Sequence, residues 1–135
     1  MKNYLIKSPV LIIFYNRIDK TKNIIKTLIN SKKNFSKLYF RVDGPKNYLD
    51  KKKIEKVIKT LKRYKNKNKN SNVVISCEKK NLGLQQKIIK SINYVLKKND
   101  RVIILEDDHL PAPTFFEFCD VMLKRYEKND KIFQI

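Results

Sequence analysis

Apolar positions fall along this chain in two alternating patterns: short unbroken runs, and longer stretches with one apolar face. The runs are Val10 to Phe14, Lys37 to Val42, Val73 to Cys77 and Arg101 to Leu105. Each is rich in β-branched and aromatic residues and too short for a helix, so strands are predicted near residues 9–14, 37–42, 72–77 and 101–105. Between them lie amphipathic stretches. Asp19 is placed to cap a helix with Ile24, Ile25, Leu28 and Ile29 on one face. Ile54, Val57, Ile58, Leu61 and Tyr64 mark a lysine-rich second helix, and the Lys/Asn tract from Lys65 to Asn72 reads as a solvated loop. Leu84, Ile88, Ile92, Val95 and Leu96 give a third helix its stripe, with Gly83 at its mouth. After Pro111 and Pro113, Thr114 and Glu117 have capping-box spacing. Phe115, Phe118, Cys119, Met122 and Tyr126 then form a face for the sheet to cover, and Lys131 to Ile135 reads as a further strand.

Strands alternating with helices predict an α/β protein with a mostly parallel sheet and right-handed crossovers. The 135 residues suit one domain, 1–135, with a single core. No apolar run approaches membrane-spanning length, and Asn16-Arg17 follows the first run where a signal peptide needs small residues. A cytoplasmic location is therefore expected. An apolar strand as the last segment reads as a cut, which makes 1–135 part of a larger domain.

Charge narrows the partners. There are 32 Lys+Arg against 13 Asp+Glu, a net charge of +19. The lysines are spread over every segment and the aromatics sit in apolar positions, so a nucleic-acid patch is not expected. The excess favours anions such as a nucleotide diphosphate or the inner face of an anionic membrane. Cys77 and Cys119 lack CxxC spacing, which excludes structural zinc and leaves two small buried hydrophobes.

Ligands of open parallel sheets bind outside the carboxyl ends of the strands. Those ends carry Tyr15-Asn16-Arg17, Asp43-Gly44, Glu78 to Gly83 and Glu106-Asp107-Asp108. Three adjacent carboxylates repel one another and need a cation or full solvation. Mn²⁺ or Mg²⁺, which prefer oxygen ligands shared with phosphates, would resolve the repulsion. The alternatives are that the acidic residues cap a turn, that Asp43 opens the Asp-Gly-Pro turn, and that Arg17 is a solvated loop charge. His109, the single histidine, suits an exposed loop.

Together, Ser-Pro-Val-Leu-Ile-Ile-Phe-Tyr-Asn-Arg, Arg-Val-Asp-Gly-Pro, Asn-Leu-Gly-Leu and Ile-Leu-Glu-Asp-Asp-His-Leu-Pro-Ala-Pro-Thr-Phe-Phe resemble GT-A glycosyltransferases. The likeness is to N-acetylglucosaminyltransferase I-like enzymes and family 2-like bacterial sugar transferases. It implies a three-layer α/β/α fold and transfer of a sugar from a nucleotide donor, such as a uridine-diphosphate sugar, to a glycan or other hydroxyl acceptor. It implies Asp108 as the metal ligand, with Glu106 and Asp107 near the sugar and ribose. Asp43 would read the base edge and Arg17 would lie near the diphosphate. The general base of such enzymes falls in the acceptor half, beyond Ile135. A catalytically silent nucleotide-binding fragment and a basic nucleic-acid module are the competing readings.

Overall fold

A computed structural model describes residues 4–135. In chain order its elements are β1 (Leu5–Ile6), β2 (Val10–Phe14), α1 (Ile18–Asn30), β3 (Asn34–Phe35), β4 (Leu38–Val42), α2 (Tyr48–Lys67), β5 (Val73–Cys77), α3 (Leu84–Leu96), β6 (Ile103–Glu106) and α4 (Phe115–Arg125). The four predicted strands form one sheet in the order β5-β4-β2-β6, every pair parallel. β2 is central and all five of its residues are buried, which is why its sequence is an unbroken apolar run rather than an alternation.

The strand pleat sends alternate residues to opposite layers. Val10, Ile12 and Phe14 pack with Leu38, Phe40, Val42, Ile103 and Leu105 beneath α1 and α2. Phe14 meets Phe40 edge to face, ring centres 5.4 Å apart. Leu11, Ile13 and Tyr39 face the other way, onto Val95 of α3. Helices thus cover both faces, the α/β arrangement expected from the alternating pattern.

Ahead of β2 the ladder is interrupted, because Pro9 has no N–H to donate. β1 and β3 form a separate parallel pair there. The freed N–H groups of Lys7 and Ser8 turn to the Asp120 carboxylate of α4, at 3.1 and 2.7 Å. Asp120 is 6% exposed, and burial pushes its pKa up. The bonds from Ser8, Lys7 and Tyr4 outweigh that, and the result lies below the usual carboxylate range.

Several expectations need correction. α1 starts at Ile18 with no side-chain cap, and Asp19 sits in its first turn. There its charge favours the positive helix end. α2 runs on to Lys67, because lysine is a good helix former and Tyr64 buries against the core. The loop is correspondingly shorter. In α3, Ile88, Ile92 and Val95 pack on the sheet as expected, but the fully buried stripe is Lys87, Ser91 and Val95, while Leu84 and Leu96 are exposed. Thr114 makes no capping bond, and Glu117 pairs instead with Lys33 at 2.8 Å. α4 is turned by about a quarter turn from its predicted phase: Phe115 and Cys119 pack on the core as expected, but Phe116 is buried and Phe118 is 56% exposed. Lys131 to Ile135 is not a strand, and its residues are exposed. Cys119 is half-buried as a small hydrophobe, but Cys77 is exposed. Among the described residues no helix is long and apolar enough to cross a membrane.

Candidate functional site at the strand ends

The chain steps outward from β2 to β4 to β5, then returns to place β6 on the other side of β2. The strand order thus reverses between β2 and β6, and by the general rule for open α/β sheets the ligand crevice falls at their carboxyl edge. Arg17 lies at the end of the loop leaving β2 and Asp107-Asp108 at the start of the loop leaving β6. They meet there. Arg17 is ion-paired with Asp107 through two nitrogens and reaches Asp108 with Nη1 at 3.2 Å. The Asp107 side chain is 1% exposed, whereas those of Arg17 and Asp108 are 46% and 41% exposed. Hydrogen bonding to Asp107 is the main reason the guanidinium pKa is raised further.

The acidic turn closes on itself. His109 Nδ1 accepts the Glu106 N–H at 3.0 Å, and the His109 N–H donates to the Glu106 carbonyl at 3.1 Å. A neutral His109 then carries its proton on Nε2. The Glu106 carboxylate makes no ion pair among the described residues.

Two further carboxylates brace the crevice. Asp50 accepts the Tyr15 hydroxyl and Asn16 Nδ2, the latter at 2.7 Å, and also the Lys46 N–H. This fixes the loop that carries Arg17. The Tyr15 bond, then that of Asn16, holds the Asp50 pKa below its ordinary value. Asp43 is 3% exposed and accepts three N–H groups: Gly44 at 2.8 Å, Leu82 at 3.0 Å and Asn81 Nδ2 at 3.1 Å. The resemblance implies Asp43 as a base reader, a role these bonds do not test. The fold makes it the anchor of the Asn81-Leu82-Gly83 loop, with spare lone pairs only.

The residue that the sequence reading missed is Lys87. It is 6% exposed, its ammonium donates to the Phe14 carbonyl at the end of β2, and it lies 5.7 Å from the centre of the Tyr15 ring. Burial lowers its pKa to about 8, opposed by the charges of Asp43, Asp107 and Glu106. A signal existed in the 87, 91, 95 spacing, which is the true buried stripe of α3. The start of α3 adds to the positive field. Gly83, at φ 77°, is its N-cap, and the first turn has neither a side-chain cap nor an acidic residue. Bare helix N–H groups attract anions.

Among the described residues no three acidic, histidine or cysteine side chains converge on one point. These residues build no closed metal cage. Asp108 offers one accessible carboxylate, which fits a magnesium-type ion that takes its remaining ligands from phosphates and water. No protein-family model and no curated protein matches this sequence.

Proposed function

We propose that the chain is the nucleotide-binding part of a metal-dependent GT-A glycosyltransferase, which moves a sugar from a nucleotide-diphosphate donor to a hydroxyl acceptor. The observation that carries this reading is the meeting of Arg17 with Asp107 and Asp108 in the crevice between β2 and β6, above the buried Lys87. A diphosphate needs fixed cations and bare N–H groups, and this edge supplies Arg17, Lys87 and the start of α3. Asp108 would hold Mn²⁺ or Mg²⁺, which when bound neutralises charge on the leaving diphosphate. The Arg17 guanidinium, half-exposed, is placed to turn from Asp108 to phosphate oxygens. Glu106, the unpaired acid of the three, is left for sugar hydroxyls. Asp43 and Asp50 hold the two neighbouring loops in place and keep the crevice open.

Binding energetics test this. Uridine diphosphate with Mn²⁺ is expected to raise Tm by several degrees more than either alone, since a ligand at a hundred times its Kd adds about 2.7 kcal/mol. Asp108→Ala should remove the synergy and leave the ligand-free Tm within about a degree or two. Equal stabilisation of wild type and variant would overturn the assignment of Asp108.

A further inference from the structure

Tyr48 and Leu49 open α2 and are 68% and 70% exposed, and Leu84 opens α3 and is 68% exposed. These first turns follow β4 and β5, so all three side chains stand at the same edge of the sheet as the crevice. The two loops beneath them are locked together. A Cβ on Gly44 would collide with the Lys80 backbone carbonyl, so only glycine permits the contact. Asn81 Nδ2 donates to the Gly44 carbonyl at 3.1 Å, and Asp43 holds Leu82. The result is one rigid rim with three apolar side chains directed into water.

The same rim is cationic. Lys46, Lys51, Lys52, Lys79 and Lys80 are exposed, and none forms an ion pair among the described residues. Lys52 lies 4.8 Å over the Tyr48 ring, so charge and apolar surface share one patch. Lysines are common over the whole surface, and it is their coincidence with three solvated apolar side chains that sets this edge apart.

We propose that the rim docks on an anionic phospholipid bilayer, with Tyr48, Leu49 and Leu84 entering the headgroup region. An interfacial site needs this combination: apolar side chains that leave water and flexible lysines that meet headgroup phosphates. Nucleic acid would satisfy the lysines and could stack on Tyr48, but it would leave Leu49 and Leu84 in water. Docking does not depend on the transferase reading. It adds to that reading that the acceptor hydroxyl would arrive on a lipid, since the crevice then opens at the bilayer surface.

Flotation with vesicles tests the proposal without nucleotide or metal. Wild type should float with phosphatidylcholine vesicles containing phosphatidylserine and stay behind with phosphatidylcholine alone. The triple variants Tyr48→Ser/Leu49→Ser/Leu84→Ser and Lys51→Glu/Lys52→Glu/Lys79→Glu should each lose about tenfold or more in partitioning. Lys62→Glu/Lys65→Glu/Lys69→Glu removes the same charge from the opposite flank, at the far end of α2, and should lose far less. All these residues are exposed, so thermal melts should stay close to wild type. Equal losses from rim and flank would reduce the effect to net charge and overturn the proposal. So would an undiminished apolar variant, or tighter binding to a single-stranded oligonucleotide than to vesicles at matched salt.

Discussion

Asp120, near the start of β2, and Asp107, at the crevice, are 6% and 1% exposed, yet they are held by different kinds of partner. Asp120 takes its bonds from the backbone N–H groups of Lys7 and Ser8, with the Tyr4 hydroxyl more distant at 3.4 Å. Those donors cannot leave without unfolding the link between β1 and β2. Asp107 takes its partner from the Arg17 side chain, half in solvent and shared with Asp108. That partner can be exchanged for a ligand. Burial therefore does not separate these two carboxylates; the kind of donor, backbone against half-exposed side chain, does.

The sharpest way to break the comparison is to remove each carboxylate in turn. Asp120→Ala strands two backbone N–H groups and should lower unfolding free energy by about 2–4 kcal/mol, measured by urea denaturation. Asp107→Ala releases a guanidinium that can turn to water and should cost about 1 kcal/mol or less. If the two losses were equal, the distinction between fixed and exchangeable donors would fail. Acid adds a second check. Because the folded pKa of Asp120 is depressed, its contribution is present above the unfolded carboxylate value and disappears as pH falls through the folded value. Asp120→Asn should then show a shallower loss of stability below about pH 4.

Lys87→Met sharpens the comparison from the opposite direction. Folded Lys87 titrates near 8 against an ordinary 10.5, so between those values the unfolded chain binds more protons and stability rises with pH. At pH 7 the full cost of the buried charge is present, and the variant should be more stable than wild type by about 1–3 kcal/mol. The gap should close as pH approaches 10.5. Nucleotide affinity should fall in the same variant. A variant that is less stable at pH 7, with affinity unchanged, would show that Lys87 is a structural cation balancing Asp43, Asp107 and Glu106.

The smallest expected effect is at His109, whose ring accepts one backbone N–H in an exposed turn. His109→Ala should shift stability by about 1 kcal/mol or less and leave the synergy between Mn²⁺ and nucleotide intact. Loss of that synergy would make the imidazole a ligand.

The parallel sheet was legible because β2 and β4, buried at every position, are almost wholly apolar, and two similar runs mark the partly exposed edge strands β5 and β6. Gly83 and the acidic turn after β6 were legible as punctuation. Packing decided what local pattern left open. Phe115-Phe116-Glu117-Phe118-Cys119 offers two helical phases, and Phe116 wins by fitting edge to face against Phe35, centres 5.1 Å apart. Lys131 to Ile135 has strand composition, but composition forms no strand without a neighbour to bond. At the site, the crevice residues were legible by position at the strand ends. The pairing of Arg17 with Asp107, and the Lys87 contact, join elements that are far apart in sequence. The second becomes visible only when α3 is known to pack on β2, the first only when β6 is known to lie beside β2.

That adjacency also sets an order of events in time. Ile12 pairs with Leu105, roughly ninety residues later. At synthesis rates of about 5–20 residues per second, β2 emerges several seconds or more before β6 does. Through that interval one edge of the most apolar strand stays open, and both halves of the crevice cannot yet exist. Closing so long a loop is slow, so ligand binding should be the last property a nascent or refolding chain acquires.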